Sequence, residues 1–310
     1  MNIRMSKSNN NPLAKPFIKW AGGKGNLISQ LDPLLPTDFS EQEDTCYIEP
    51  FVGGGAMLFH MLQKYSNIQK AIINDINKDL INCYRIIKDN PKELIQILNR
   101  LQTYYLSATN EIRSIIYYEY RNEYNGKGKQ LLETERAALF IFLNKTCFNG
   151  LYRVNLKGEF NVPIGRYQNP VICNEDNIWA VHELLNNKNV TILCGDYKAT
   201  YKLIKDPEKT FFYFDPPYRP LLGETNFKDY NESPFGDAQQ EELRDFCHQL
   251  TQDGIKWMQS NSDSRNEDGS SYFEDLYEGD YFDILYAPRA INAFANGRGK
   301  LTESLIRNYN

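Results

Sequence analysis

The most chemically loaded stretch of the sequence is Asp215-Pro216-Pro217-Tyr218, directly after the apolar run Phe211–Phe214. Two successive prolines lock the backbone and remove two N–H donors, which leaves the Pro216 carbonyl to accept from a ligand. The Asp215 carboxylate is a second acceptor beside it, and the Tyr218 ring offers a stacking face. Two acceptors next to a flat ring match a planar substrate that carries an NH₂ group. A surface turn ending a strand uses the same residue types. The buried strand in front and a glycine-rich unit upstream shift the balance towards a ligand site.

That upstream unit is Glu49-Pro50-Phe51-Val52-Gly53-Gly54-Gly55. Glycines at a strand end let a ligand come close to the backbone. Met57 and Leu58 after Gly55-Ala56 break any GxGxxG pattern. Gly25 after Gly23-Lys24, with Ile18 at the first glycine position, excludes a P-loop. Asp75 closes the next apolar strand, where an acid binds ribose hydroxyls in Rossmann-type sites or caps the following helix; local sequence leaves both open.

The elements that must carry these residues are legible in outline. Lys24 to Leu35 reads as a short helix, Thr45 to Phe51 as a buried strand, Ala56 to Lys64 as a helix and Lys70 to Ile73 as a second strand. Strand, glycine turn, helix, strand and acid in that order make a nucleotide-type βαβ unit. Apolar residues at helical spacing run from Asn77 to Leu143, interrupted at Asn125–Gly128. Asn149 to Tyr167 alternates in short segments and reads as a hairpin or loop. Beyond it come a helix (177–187), strands at 190–194, 211–214 and 255–260, and a helix at 237–252. The loops 219–236 and 263–269 are polar, lie next to strand ends and read as lids. Residues 1–11 are polar and read as loose. The fold class is α/β, a Rossmann-like sheet with a helical and hairpin insertion between its two halves.

Composition narrows the function classes. The 310 residues hold 35 Lys and Arg against 40 Asp and Glu, a net charge of −5, which excludes a uniformly basic nucleic-acid coat protein. Apolar residues at 41% are enough for a sizeable core. Six cysteines without a CxxC pair and three histidines supply no plausible zinc site. Scattered thiols, no apolar signal core and no membrane-length apolar run give the expectation of a cytoplasmic protein without metal or membrane partner.

Five segments occur in a telling order: Phe17–Lys24, Glu49–Gly55, Asp75-Ile76-Asn77, Asn149–Arg153 with Gly165–Tyr167, and Asp215–Tyr218. Together they resemble the DNA adenine-N6 methyltransferases of the Dam type, over nearly the whole chain. The resemblance implies S-adenosylmethionine as methyl donor and duplex DNA as substrate. It implies a discontinuous catalytic domain over residues 12–80 and 172–310, with a target-recognition domain over 81–171. By position, Trp20, Lys24, Gly53, Gly55, Asp75, Asp196, Tyr197 and Asp215 match the cofactor pocket, and Asp215, Pro216, Pro217 and Tyr218 the catalytic motif. Lys19, Phe148, Asn149, Leu151, Arg153, Pro163, Arg166 and Tyr167 match the DNA-contacting set, with Phe148 as a wedge and Arg153 as a guanine reader. The set resembles readers of GATC, and a cognate restriction endonuclease is an implied partner.

Two other readings compete at this stage. One is an N-methyltransferase acting on RNA or protein, which the Lys19–Lys24 and Asn149–Tyr167 segments disfavour. The other is an inactive DNA-binding regulator on the same scaffold, which intact Asp215, Tyr218 and Gly53–Gly55 disfavour. The acidic total also hides opposite patches. Residues 11–30 hold three lysines and no acid, and 145–167 hold four basic residues against one acid. Residues 263–283 hold eight acids against one arginine. A basic DNA face and an acidic back are therefore expected.

Overall fold

The computed structural model describes residues 13–128, 130–219, 235–287 and 301–310. Those residues divide into two compact units, Gly22–Ile81 with Lys188–Asn310, and Met1–Ala21 with Asn82–Asn187.

The first unit is built on a sheet of seven strands among the described residues, in the order β3-β2-β1-β4-β5-β7-β6. The strands are β1 (Thr45–Glu49), β2 (Ile68–Ile73), β3 (Val190–Ile192), β4 (Thr210–Phe214), β5 (Lys256–Ser262), β6 (Tyr281–Ala287) and β7 (Leu301–Arg307). β3 to β5 in that order pair in parallel, while β7 pairs antiparallel with both β5 and β6. Central parallel strands are covered on both faces, and so they read as unbroken apolar runs; every residue of β4 is buried. The chain winds outward from β1 to β3, then returns to β4 on the other side of β1. Ligands in such sheets bind where the winding reverses, at the carboxyl ends of the strands. Glu49 ends β1 and Asp215 follows β4, so both motifs reach that point.

Two expectations change. The single helix over 24–35 is three short pieces, Lys24–Asn26, α1 (Ile28–Leu31) and Asp32–Leu34. Pro33, with no N–H, sits in the first turn of the last piece and cannot continue the helix before it. The C-terminal β6–β7 pair has no counterpart in the reading from sequence, and it completes the sheet. The 219–236 loop falls mostly outside the described residues, as do the N-terminal residues through 12.

The second unit is helical, with α4 (Pro91–Ser107), α5 (Asn110–Tyr124), α6 (Glu133–Thr146) and α7 (Glu175–Asn187). Helix α6 is buried from Ala137 through Asn144, which explains its unbroken apolar sequence. Its end feeds a hairpin-like loop held by bridges between Cys147 and Ile164 and between Val154 and Phe160. Helices α2 (Ala56–Lys64) and α8 (Asp237–Gln252) belong to the sheet unit, and α3 (Lys78–Asp89) crosses from one unit to the other.

Candidate active site

In the sheet unit, Lys24, Asp215, Tyr218 and Glu303 form one charged cluster. The Lys24 Nζ lies 2.7 Å from Asp215 Oδ1 and 3.9 Å from Glu303 Oε2. It also sits 4.5 Å from the centre of the Tyr218 ring. Lys24 is only 3% exposed, so the ammonium survives by its partners; its third contact is the Gly22 carbonyl, at 2.7 Å. The Tyr218 hydroxyl donates to Glu303 Oε2 at 2.6 Å. Burial pushes the Asp215 carboxyl above its ordinary value, and the Lys24 charge pulls it part of the way back. Burial pushes Tyr218 well up, reinforced by the negative charge of Asp215 and Glu303, so its hydroxyl stays protonated.

The Asp215–Tyr218 turn is fastened from behind. Gln240 on α8 donates to the Pro217 carbonyl at 3.0 Å, and Asn261 on β5 accepts the Arg219 N–H at 3.2 Å. Asn261 also donates to Gln240, at 3.1 Å. Arg219 donates to Asp237 and Ser264, at 2.8 and 2.7 Å. Below the turn, Glu49 is buried and accepts from the Tyr47 hydroxyl at 2.8 Å; burial raises its carboxyl well above the carboxylate range.

The glycine turn has the backbone that only glycine takes readily: φ is +48° at Gly53 and +75° at Gly55, immediately before α2. Asp75 does not cap α3. Its Oδ2 accepts the Gly53 N–H at 3.1 Å, and its Oδ1 accepts from Asn77 at 2.9 Å. Asn77 is the cap, accepting the N–H groups of Asp79 and Leu80. Asn74 ties three strand ends together by donating to Pro50 and Gly195 carbonyls at 3.0 and 2.9 Å. Asp196 is exposed and caps its own turn through the Lys198 N–H. Tyr197 is a core ring, packed on Phe51 and Phe246.

The remaining candidates lie in the helical unit. Trp20 stacks on Tyr152, with ring centres 5.6 Å apart. Lys19 passes over Gly150, and its Nζ donates to the Tyr167 hydroxyl at 3.0 Å. The buried Asn144 side chain grips the Lys19 backbone from both sides, at 2.8 Å each. Phe148 is half exposed, Asn149 is left-handed at φ +54°, and Leu151, Arg153, Pro163 and Arg166 are exposed. The Arg153 Nε donates to Asn161 at 2.7 Å, which fixes the guanidinium's orientation. Burial, with Lys19 nearby, lowers Lys145 to about 8.

The family model of the D12 class N6 adenine-specific DNA methyltransferases matches residues 20–290. The chain belongs to that family. It is 47% identical to the type II methyltransferase M.MjaIII of Methanocaldococcus jannaschii, over 95% of this chain and 99% of that one. It is 39% identical to the type II methyltransferase M1.LlaDCHI of Lactococcus lactis subsp. cremoris, over 95% of each. The DNA adenine methylase of Serratia marcescens is 32% identical, over 94% of this chain and 97% of that one. As a D12 methyltransferase the protein is an N6-adenine-specific DNA methyltransferase. Among its described residues no helix is long and apolar enough to cross a membrane, and no group of side chains is arranged for a metal ion.

Sequence reasoning missed Glu303, Asn261, Gln240 and Arg219, which hold the Asp215–Tyr218 turn in place. Arg219 alone carried a signal, as the charged residue next to the motif. The others are distant in sequence and of ordinary type. Lys24, which matches the cofactor pocket by position, also counts in the basic charge of residues 11–30, and its side chain is buried in an ion pair.

Proposed function

We propose that the enzyme moves the methyl group of S-adenosylmethionine to N6 of an adenine turned out of duplex DNA, within GATC. The Lys24–Asp215–Tyr218–Glu303 cluster carries this reading. It combines a buried carboxylate with an adjoining ring at the carboxyl end of β4. The residues fit the cofactor. Two left-handed glycines keep side chains off the backbone at the end of β1, and the charged cluster balances one cation against two carboxylates. Gly53, Gly55 and Asp75 would hold the nucleoside end, with Asp196 and Tyr197 beside the base and Lys24 completing the pocket; Trp20 joins this set by its match to the family position alone. The cofactor supplies an electrophilic methyl group on a sulfonium.

An adenine inside a helix cannot present its amine, and turning it out costs a few kcal/mol of unstacking. Tyr218 then stacks on the base. Asp215 and the Pro216 carbonyl accept the two N6 hydrogens, while Pro217 keeps the turn rigid. Those bonds localise the nitrogen lone pair that the ring otherwise withdraws. With the cofactor bound, N6 would take its methyl group, and Asp215 would stabilise the positive charge growing on N6. N6 would then pass one proton to the Asp215 carboxylate, which returns it to solvent. Asp215→Ala abolishes methylation in a tritium-transfer assay and leaves duplex binding within about threefold; near-normal methylation by this variant would sink the mechanism.

The helical unit reads the site. Arg153 bonds guanine O6 and N7, Leu151 and Pro163 meet a thymine methyl, and Lys19 reaches the outer base. Phe148 wedges at the gap, and Asn149, Arg166 and Tyr167 complete the contact surface. The type II names of the relatives at 47% and 39% identity support a cognate endonuclease as partner. Long-read sequencing of DNA from cells expressing the enzyme tests the target directly: methylated adenine outside GATC overturns the assignment and leaves the chemistry untouched.

A further inference from the structure

Glu303 stands at an unusual point in the cluster. It sits on β7, opposite Ser262 of β5 and Leu285 of β6, so two flanking strands fix its backbone. One of its oxygens, Oε2, takes the Tyr218 hydroxyl at 2.6 Å and faces the Lys24 ammonium at 3.9 Å. The same ammonium lies 2.7 Å from Asp215. Lys24 thus has two carboxylates within reach, one paired and one beyond hydrogen-bond length.

We propose that Glu303 is a positioning residue of methyl transfer: it anchors Tyr218 and takes the Lys24 ammonium when Asp215 turns to the target amine. This rests on Asp215 being the acceptor for N6. A carboxylate bonded to an ammonium has part of its charge already neutralised, and it is a poor acceptor for a weakly acidic aryl amine. The ammonium is also a positive charge close to a nitrogen that becomes positive in the transition state, which opposes the reaction. Both penalties fall if Lys24 leaves Asp215. In a buried site it leaves only for another anion, since an unpaired ammonium is strongly disfavoured there. Glu303 is that anion, and a shift of little more than 1 Å would complete the new pair. Its bond to Tyr218 survives the exchange because a carboxylate accepts several hydrogen bonds at once.

Glu303→Gln tests this, because the amide oxygen keeps an acceptor for Tyr218 while the charge is lost. Under single-turnover conditions with a duplex carrying an unmethylated target site, the variant should slow methyl transfer at least twentyfold with DNA affinity within twofold of the parent. Glu303→Asp should recover at least a third of the parent rate. In a Lys24→Gln background the same Glu303→Gln change should cost less than threefold, since no ammonium remains to be moved. A Glu303→Gln rate within threefold of the parent overturns the proposal. So does an equal loss in both backgrounds, or a loss that Glu303→Asp does not recover. Asp215→Ala run alongside keeps the two levels apart: its inactivity, with Glu303→Gln unimpaired, removes Glu303 and retains Asp215 as acceptor.

Discussion

At the scale of single residues, the site depends on which charge faces Asp215. Burial raises the Asp215 carboxyl, and the Lys24 ammonium at 2.7 Å lowers it again. Asp215 works as a carboxylate, so activity is lost as pH falls through its folded pKa. The stability contribution has the opposite sign. A folded pKa above the unfolded one favours the protonated form, so ionisation costs stability as pH rises through the window between the two values. Removing Lys24 leaves burial unopposed. In Lys24→Met the acid limb of kcat/KM, which reports the free enzyme, should move to higher pH, and an unmoved limb would mean that Lys24 is not the counter-ion of Asp215 in the free enzyme. Arg153 makes a different prediction, because it touches no group of the cluster. Arg153→Ala should cost about 1–3 kcal/mol of discrimination at one base pair, read as competition between cognate and single-substituted duplexes, with single-turnover methylation of the cognate site nearly unchanged.

At the scale of elements, the short turn Phe148–Gly150 shows how tightly the reading surface is assembled. Gly150 has φ +66°, and a Cβ there would lie 2.5 Å from Lys19 Cδ and 2.7 Å from Lys19 Cβ. The second of these atoms cannot swing away, because Asn144 pins the Lys19 backbone. Gly150→Ala should therefore destabilise the protein by at least about 1–2 kcal/mol from backbone strain alone and reduce discrimination at the outer base; an unchanged melting temperature would show that the turn relaxes. Elements of this kind mark the limit of what sequence conveys. β4, α2 and α8 were legible because apolar runs, periodicity and a preceding glycine turn act locally. The motif residues Asp215 and Tyr218 were legible for the same reason. Glu303 was not, because β7 reaches the site by pairing antiparallel between β5 and β6, and nothing local marks that register. Of the Asp75 alternatives only the helix cap falls, because Asn77 takes the Asp79 and Leu80 N–H groups, while Asp75 accepts from Gly53, 22 residues away. Lys24 is matched to the cofactor pocket by its family position, and its burial is set by two carboxylates far along the chain.

At the scale of the whole molecule, the net charge of −5 separates into surfaces of different sign. Glu267, Asp268, Glu274, Asp275 and Glu278 are exposed on the sheet unit. Lys19, Arg153, Lys157 and Arg166 are exposed on the helical unit, whereas Lys24 is removed from any outer surface by its ion pairs. Under the proposed function the phosphate contacts come from these hairpin side chains. Binding releases counterions in proportion to those contacts, with log K falling by about 0.9 per phosphate for each unit of log salt. An acidic protein with few such contacts should have a shallow slope. Lys157→Ala and Arg166→Ala should each flatten it by about one, and the pair by about two. Fluorescence anisotropy of a labelled duplex between 50 and 300 mM salt measures the slopes. Parallel lines, displaced in affinity but equal in slope, would mean that neither side chain meets a phosphate and that the basic surface of the hairpin serves another purpose.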